Sequence, residues 1–182
     1  MSKVILGFVG PLSSGKGTVC QYLKEKYGAP NYRFSTILRD VLTRLYMEQS
    51  RGNMQKLSTV LRQNFSEELF SQVIARDVEK DPATLILVDG IRRDSDAVHL
   101  KVLPNFYLVA VDVAQKTRWE RMTQREENTD DARKTWEQFQ QDELQEAELQ
   151  VRGVMEHAEF KIDNNGTVEE LYEQVEEILK KI

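Results

Sequence analysis

The chain has 182 residues, of which 40% are hydrophobic and 30% are charged, and its formal net charge is −5. A chain of this length can fold without disulfide or metal staples, and a single cysteine, Cys20, excludes an internal disulfide. Two histidines and one thiol argue against a His/Cys zinc site, and no apolar run approaches the ~18 residues that span a bilayer. We therefore expect one domain at residues 1–182, cytoplasmic and without a membrane partner.

The charge is unevenly distributed along the chain. Residues 1–125 contain 19 Lys and Arg against 13 Asp and Glu, a net charge of +6, whereas residues 126–182 contain 6 against 17, a net charge of −11. The acidic average alone argues against an anionic ligand, but the basic first two-thirds of the chain is compatible with one. The basic residues have little aromatic interleaving and form no nucleic-acid-binding motif, so we expect no nucleic-acid partner.

Hydrophobic periodicity predicts strands that alternate with helices. In chain order, the first half is predicted to contain a strand at 3–9, a helix at 19–27, an extended stretch at 31–34, a helix from a cap at Ser35 or Thr36 to near Gly52, and a helical region at 54–78 interrupted at Ser66. The second half is predicted to contain a strand at 84–88, a helix at 94–102, a strand at 106–113 and helices at 115–127 and from Thr129 to Ala147. A strand at 160–162 and a last helix opened by Thr167 end the predicted series. This alternation predicts a parallel sheet covered on both faces.

The ends of the predicted strands indicate where a ligand binds. In a doubly covered parallel sheet, ligands bind beyond the carboxyl ends of the strands. Gly10, Phe34, Asp89 and Val113 stand at these ends. We therefore expect the residues next to them to line one crevice.

The loop after the first strand carries the most specific motif of the chain, a G-x-x-x-x-G-K sequence between a buried strand and a helix. Its backbone N–H groups and the helix N-terminus favour a phosphate group, and Lys16 can reach the β- and γ-phosphates. The hydroxyl that would face Mg²⁺ stands at Thr18, one residue later than in the strict motif. The predicted ATP-binding residues of this loop are Gly10, Ser13, Ser14, Gly15, Lys16, Gly17 and Thr18.

The G-K-G-T ending of this loop resembles adenylate kinase and its nucleoside monophosphate kinase relatives, and the resemblance extends over nearly the whole chain. It implies a P-loop NTPase fold of the α/β class, with three α/β/α layers, a central parallel sheet and a small helical lid. The implied core lies at about 1–120 and 150–182, and the implied lid at about 121–149. ATP is the implied co-substrate and Mg²⁺ the implied cofactor.

Two segments resemble the acceptor side of these kinases. The sequence FSTILR at 34–39 resembles the start of the helix that holds the acceptor nucleotide, which implies acceptor contacts for Ser35 and Arg39. The sequence DGIRR at 89–93 resembles the element after the third strand. There the resemblance implies that Asp89 holds Mg²⁺ through water, and that Arg93, with Arg92 as the weaker candidate, bridges the donor and acceptor phosphates.

Two further segments resemble the ATP side. Arg121 and Arg125 match the R-x-x-x-R of the helix that enters the lid, where residues one turn apart share a face and both can address ATP, and Arg118 extends the row. The sequence IDNNGT, with Asn164 and Gly166, resembles the turn whose backbone borders the adenine. The residues predicted to act in catalysis are Lys16, Arg93, Arg121 and Arg125.

The lid departs from the family pattern. Adenylate kinases usually carry R-x-D-D and a further arginine about eight residues later, but the corresponding positions here are Asn128 and Phe139. Two arginines that would act in the transition state are therefore missing or replaced, and Arg133 and Lys134 are the candidates for replacing them.

We predict that the chain moves the γ-phosphate of ATP to a nucleoside or deoxynucleoside 5′-monophosphate. The region around Arg62 resembles the base side of phage-type deoxynucleoside monophosphate kinases, which implies an acceptor contact there. Dephospho-coenzyme A kinase is the alternative, although residues 31–34 lack the Asp-x-Asp of that family. A regulatory module that binds ATP without transferring phosphate is the third hypothesis, favoured by the altered lid. The base and sugar of the acceptor and the oligomeric state stay open.

Overall fold

The computed structural model describes residues 3–124, 135–144 and 146–182, without the side chains of residues 51, 142 and 146–149. The described residues form a five-stranded parallel sheet in the order β2-β3-β1-β4-β5. The strands are β1 (Val4–Val9), β2 (Asn31–Arg33), β3 (Leu85–Ile91), β4 (Phe106–Asp112) and β5 (Phe160–Asp163). The helices are α1 (Lys16–Tyr27), α2 (Phe34–Arg44), α3 (Arg51–Asn64), α4 (Leu69–Lys80), α5 (Asp94–Lys101), α6 (Gln115–Gln124), α7 (Trp136–Glu143), α8 (Glu146–Glu156) and α9 (Val168–Leu179).

Helices cover both faces of the sheet, as the alternation of elements predicts. On one face, buried residues of α4, α5 and α8 pack against alternate residues of the strands, among them Ile5 and Val9. On the other face, α1 and α9 pack against Leu6 and Phe8. Burial on both faces is the reason that the central strands are continuous apolar runs rather than alternating ones.

All four predicted strands are present and the predicted extended stretch forms β2, but β3 is longer than predicted. It continues through Asp89 and Gly90 to Ile91 instead of ending at residue 88. The register with β1 shifts at this point, since Phe8 pairs with Asp89 and Val9 pairs with Ile91. Gly90 absorbs the extra residue with a φ of 95°, a conformation that favours glycine.

Two of the predicted helix boundaries are wrong at the first turn. Helix α1 begins at Lys16, three residues before the predicted start, directly after Gly15. Helix α2 begins at Phe34 and has no side-chain cap, so neither Ser35 nor Thr36 caps it. The capping box at Thr167 is confirmed, because its hydroxyl accepts from the N–H of Glu170 at 3.2 Å and the Glu170 carboxylate accepts from the N–H of Thr167 at 2.8 Å.

The bounds of two further predicted helices are wrong. Helix α2 ends at Arg44 rather than near Gly52, and α3, the first part of the predicted helical region at 54–78, begins already at Arg51, where Ser50 caps it by accepting from the N–H of Asn53 at 3.3 Å. The predicted helix from Thr129 to Ala147 corresponds to α7 and α8, while its first residues lie outside the described ranges. Within the described part of the chain, no helix has the length and apolar character needed to cross a membrane.

The close packing at Gly7, in the middle of β1, provides a test of the core. A Cβ at this position would lie 2.6 Å from the ring of Phe106 and 2.8 Å from Cδ1 of Ile91. We expect Gly7→Ala to lower the free energy of unfolding by about 1–3 kcal/mol, the usual effect of overpacking, as measured by urea denaturation. In a Phe106→Leu background the same substitution should lower the free energy of unfolding by less, because the aromatic ring that the Cβ would meet is absent. An equal decrease in both backgrounds would contradict the described packing.

Candidate active site

The loop between β1 and α1 passes so close to its neighbours that two positions accept only glycine. A Cβ at Gly10 would lie 2.3 Å from the carbonyl oxygen of Val111, and one at Gly15 would lie 2.1 Å from Nδ2 of Asn164. Gly15 also has a φ of 103°, and the neighbouring Ser13 has a φ of 61°. The glycines of the motif thus serve close approach at Gly10 and both close approach and a left-handed backbone at Gly15.

Lys16, the first residue of α1, folds its side chain back over this loop. Its ammonium donates to the carbonyl oxygens of Gly10 at 2.6 Å and Pro11 at 2.9 Å, and to the hydroxyl of Ser14 at 3.4 Å. A cation, a glycine-rich loop and the N-terminus of a 12-residue helix therefore meet at one place. These are the groups from which the sequence predicts a phosphate-binding site.

Asn164, in the turn after β5, braces the loop from the side. Its side chain is buried, and its amide donates to the carbonyl oxygen of Ser14 at 2.7 Å. Its backbone N–H donates to Asp112 at 2.8 Å, and its carbonyl accepts from Arg121 at 3.0 Å. The family resemblance implies only that the backbone of this turn borders the adenine. The structure adds that the turn holds the phosphate loop and places Arg121 of α6 beside it.

Gly166 and Arg125 complete the predicted ATP side. A Cβ at Gly166 would lie 1.8 Å from Oε2 of Glu170, so the capping box of α9 requires a glycine there. Arg125 lies outside the described residues, as do Asn128, Arg133 and Lys134.

Asp89 lies at the carboxyl end of β3 and is only 5% exposed. Its Oδ2 is 3.1 Å from Nε of Arg33, at the end of β2. The pKa of the buried Cys20 thiol is raised well above its ordinary value by burial and by the charge of Asp89, while Arg33 and Lys16 lower it. Asp89 also pairs with Phe8 in the sheet, so the end of β3 lies beside the end of β1, which leads into the phosphate loop.

The sequence analysis does not identify Arg33 as a site residue. Its only signal is its position at the end of a short strand, where the next residue begins α2. Its pairing with Asp89 depends on β2 lying beside β3 in the sheet, with Arg33 and Asp89 as register partners.

The chain offers oxygen donors that suit Mg²⁺. Thr18 is exposed in the first turn of α1, and Asp89 supplies a carboxylate at the sheet edge. Mg²⁺ commonly binds one or two protein oxygens and completes its shell with water and phosphate oxygens, so a hydroxyl and a carboxylate fit such an ion. Among the described residues no group of three or more His, Cys, Asp and Glu could hold a metal, and the ion would depend on a nucleotide for its remaining ligands.

The predicted acceptor residues lie on α2 and at the start of α5. Arg39 is half-buried, and its guanidinium donates to Gln49 at 3.3 Å, a contact close to the outer limit of a hydrogen bond. Arg93 is 3.4 Å from the exposed carboxylate of Glu67. Ser35 is half-buried in the first turn of α2, and Arg92 immediately precedes Arg93. The long contacts of the two arginines could be exchanged for a phosphate group.

Arg62 has a different place from the one that the resemblance implies. It is buried, with Nη2 at 2.6 Å from Oδ1 of Asp96 and its guanidinium 4.8 Å from the centre of the Phe70 ring. The other oxygen of Asp96 accepts from the backbone N–H groups of Arg92 and Arg93 at 3.0 and 3.1 Å. This geometry does not support an acceptor contact for Arg62. Instead, Arg62 holds Asp96, which fixes the turn that carries the two acceptor-side arginines.

Phe139 of α7 stands where the resemblance leads one to expect an arginine. It is fully buried, and its ring centre lies 5.4 Å from the guanidinium carbon of Arg118. Arg118 of α6 is also fully buried, pairs with Glu143 of α7 and lies 3.4 Å from the carbonyl oxygen of Leu12 in the phosphate loop. A guanidinium from α6 therefore lies beside the position at which the family places one from the lid.

The brace by Asn164 can be tested through nucleotide affinity. Asn164→Ala leaves the Ser14 carbonyl without its partner, and an unsatisfied buried acceptor costs about 1–3 kcal/mol. We expect the Kd for ATP, measured by isothermal titration calorimetry, to rise about tenfold or more. Asn64→Ala is the control, since that exposed side chain bonds only to Val60 within its own helix. Unchanged ATP affinity in Asn164→Ala would show that the brace does not shape the loop.

Comparisons with known proteins identify the family of the chain and several relatives. Residues 9–140 match the AAA_17 family, described as an AAA domain. A UPF0200 protein of Hyperthermus butylicus is 26% identical over 180 residues, covering 99% of this chain and 95% of the relative. A UPF0200 protein of Staphylothermus marinus is 28% identical over 182 residues, covering 100% of this chain and 94% of the relative.

Solved structures share the fold over nearly the full length. The protein TT1252 of Thermus thermophilus has a TM-score of 0.64 at 16% identity, covering 100% of this chain and 99% of the other. Shikimate kinase of Bacteroides thetaiotaomicron has a TM-score of 0.64 at 12% identity, covering 97% of this chain and 98% of the other. The chain belongs to the AAA_17 family of AAA domains and has the fold of a P-loop kinase.

Proposed function

We propose that the chain transfers the γ-phosphate of ATP to a nucleoside or deoxynucleoside 5′-monophosphate. The observation that carries this proposal is that positively charged side chains follow the carboxyl ends of adjacent strands in two separate places, one after β1 and the other after β2 and β3. The phosphate loop with Lys16 follows β1, and Arg39 and Arg93 follow β2 and β3. Because these strands are parallel and adjacent, their carboxyl ends lie side by side. An enzyme that joins two phosphate groups needs such a pair of anion sites.

On the donor side, the phosphate loop would hold the triphosphate. Lys16 would exchange its loop carbonyls for phosphate oxygens, since an ionised partner forms the stronger hydrogen bond. The contacting residues that we propose for ATP are those of the loop, Gly10, Ser13, Ser14, Gly15, Lys16, Gly17 and Thr18, together with Arg121, Asn164 and Gly166. Arg121 is held against the Asn164 turn, so both belong to the same side of the site.

On the acceptor side, Arg39 and Arg93 would bind the phosphate of the monophosphate, with Ser35 and Arg92 beside them. A planar guanidinium can donate to two phosphate oxygens at once, which orients the acceptor as well as attracting it. The attacking oxygen belongs to a phosphate that is already ionised, so no general base is required. Catalysis then depends on positioning and charge neutralisation.

A bound Mg²⁺ would neutralise part of the charge on the transferring phosphate. Thr18 and Asp89 are the residues that would hold it, with Asp89 acting through water. Asp89 gives one of its oxygens to Arg33, and its second oxygen is the one that remains for a hydrated ion.

Two observations bear on the alternatives, one against dephospho-coenzyme A kinase and one in favour of the regulatory hypothesis. Where dephospho-coenzyme A kinases have an Asp-x-Asp, this chain has Arg33, which pairs with Asp89 instead of adding a carboxylate. An acceptor that attacks through a hydroxyl group needs a base, and Asp89 gives one oxygen to Arg33 while the proposal assigns its other oxygen to a hydrated Mg²⁺. The regulatory hypothesis gains from Phe139, because a buried ring replaces a transition-state arginine.

The proposal is tested with ATP and a panel of acceptors. The purified chain is incubated with each nucleoside and deoxynucleoside monophosphate and with dephospho-coenzyme A, and ADP is followed by a coupled assay. We expect ADP production that depends on at least one monophosphate. Lys16→Ala should lower that rate by at least about 100-fold, because Lys16 is the mobile cation of the loop.

Lys24→Ala is the matched control for this variant, since Lys24 is exposed in the last turn of the same helix. If none of the acceptors raises ADP production above background, the result would favour the regulatory hypothesis. Full activity in Lys16→Ala would refute the assignment of the loop.

The acceptor side gives a separate prediction. Arg39→Gln removes a guanidinium that would bind the acceptor phosphate, and a hydrogen bond to a charged group contributes about 1.5–3 kcal/mol. We expect the KM for the monophosphate to rise roughly 10- to 100-fold while the KM for ATP changes little. Arg44→Gln, in the exposed last turn of α2, is the control. An equal rise in the KM for both substrates would contradict an acceptor-specific role.

A further inference from the structure

Arg118 has an unusual environment for an arginine. It is the largest side chain of the described residues that is fully buried, and it lies between the phosphate loop and α7. Its guanidinium stacks over Phe139, and its Nη1 contacts both the Glu143 carboxylate and the carbonyl oxygen of Leu12. One nitrogen of the three therefore accounts for all of its hydrogen bonds within the described part of the chain.

The other two nitrogens of Arg118, Nε and Nη2, are buried without a hydrogen-bond partner among the described residues. These two atoms form one side of the guanidinium, and a single carboxylate or phosphate group can accept from both. A buried donor without an acceptor destabilises the fold, and a charged donor does so more strongly. Buried polar groups are otherwise almost always satisfied, so an empty pair of charged donors at a binding loop indicates an anionic ligand.

The position of Arg118 relative to Lys16 indicates which anion would bind to Arg118. The ammonium of Lys16 is held by the carbonyls of Gly10 and Pro11, and Nη1 of Arg118 is held by the carbonyl of Leu12, the next residue. Both cations thus lie along consecutive carbonyl groups of one loop. In P-loops the lysine addresses the β- and γ-phosphates. Because Arg118 contacts the next carbonyl group of the same loop, we infer that the anion it meets is one of the phosphates that Lys16 addresses, and we take the terminal one.

We propose that Arg118 is a further phosphate-binding residue, whose Nε and Nη2 donate to oxygens of the terminal phosphate of ATP. The resemblance implies an arginine on α7 at the position of Phe139, and Arg118 on α6 would provide the positive charge that is missing there. During transfer the bond between the terminal phosphorus and the β–γ bridging oxygen breaks, its electron pair leaves with ADP, and an acceptor oxygen forms the new bond. Arg118 donates hydrogen bonds throughout and neither gains nor loses a proton. Its part in transfer rests on the proposed function, whereas its binding of ATP does not.

Glu143 orients the guanidinium rather than filling its free side. Its carboxylate accepts from Nη1 of Arg118 and from Nε2 of Gln115, which fixes it between two donors of α6. This arrangement leaves Nε and Nη2 as the side available to a ligand.

The test compares ATP with ADP, which differ by the terminal phosphate. Dissociation constants for both are measured calorimetrically in magnesium buffer for the unmodified chain, Arg118→Lys and the exposed control Arg76→Lys on α4. We expect Arg118→Lys to weaken ATP binding at least tenfold and ADP binding less than threefold. Arg76→Lys should change the ratio of the two constants less than threefold.

The inference is overturned if Arg118→Lys weakens the binding of both nucleotides equally or of neither, since either result assigns Arg118 to structure alone. Should Arg118→Lys fail to fold, the Nε–H resonance of Arg118 in the unmodified protein decides, because it should shift with ATP and much less with ADP. No acceptor is present in these measurements. Failure of the proposed function would instead appear as ATP binding that retains its dependence on Arg118 while no acceptor is phosphorylated.

Discussion

The phosphate loop depends on the turn that follows the last strand of the sheet. The Asn164 side chain donates to the Ser14 carbonyl 150 residues earlier in the chain, and it lies so close to Gly15 that no Cβ would fit between them. The same turn receives Arg121 and is tied to the end of β4 through Asp112. One buried amide thus joins the first and last strands at their carboxyl ends. The phosphate loop and α6 are therefore both supported by this turn.

The cations of the candidate site are each held by a partner within the chain. Lys16 is held by loop carbonyls, Arg33 by Asp89, Arg93 by Glu67 and Arg118 by Glu143. These partners offset the repulsion that would arise from collecting like charges at one edge of a sheet. Most of them are neutral carbonyls or lie at partly exposed positions, so phosphate oxygens can compete with them. The net charge of −5 for the whole chain conceals this arrangement, because the acidic excess lies beyond residue 125.

Local features of the chain were predictable from the sequence, and pairings between distant elements were not. The strands, the phosphate loop and the capping box of α9 follow from short motifs, and the structure has them. The end of α2 was misjudged because the periodicity continues past Arg44, whereas the cap at Ser50 decides where α3 begins. The roles of Arg62 and Arg33 depend on Asp96 and Asp89, which lie more than 30 residues away in the chain. A resemblance assigned Arg62 to the acceptor, but only the folded arrangement shows that its charge is already paired.

The most direct test of phosphate transfer is to follow the terminal phosphate itself. ATP labelled with ³²P at the γ position is incubated with the chain and a monophosphate, and the products are separated by thin-layer chromatography. The account predicts that the label appears in the nucleoside diphosphate formed from the acceptor, in proportion to ADP, with little released as inorganic phosphate. Label that appears only as inorganic phosphate, or that remains in ATP with every acceptor, would contradict it.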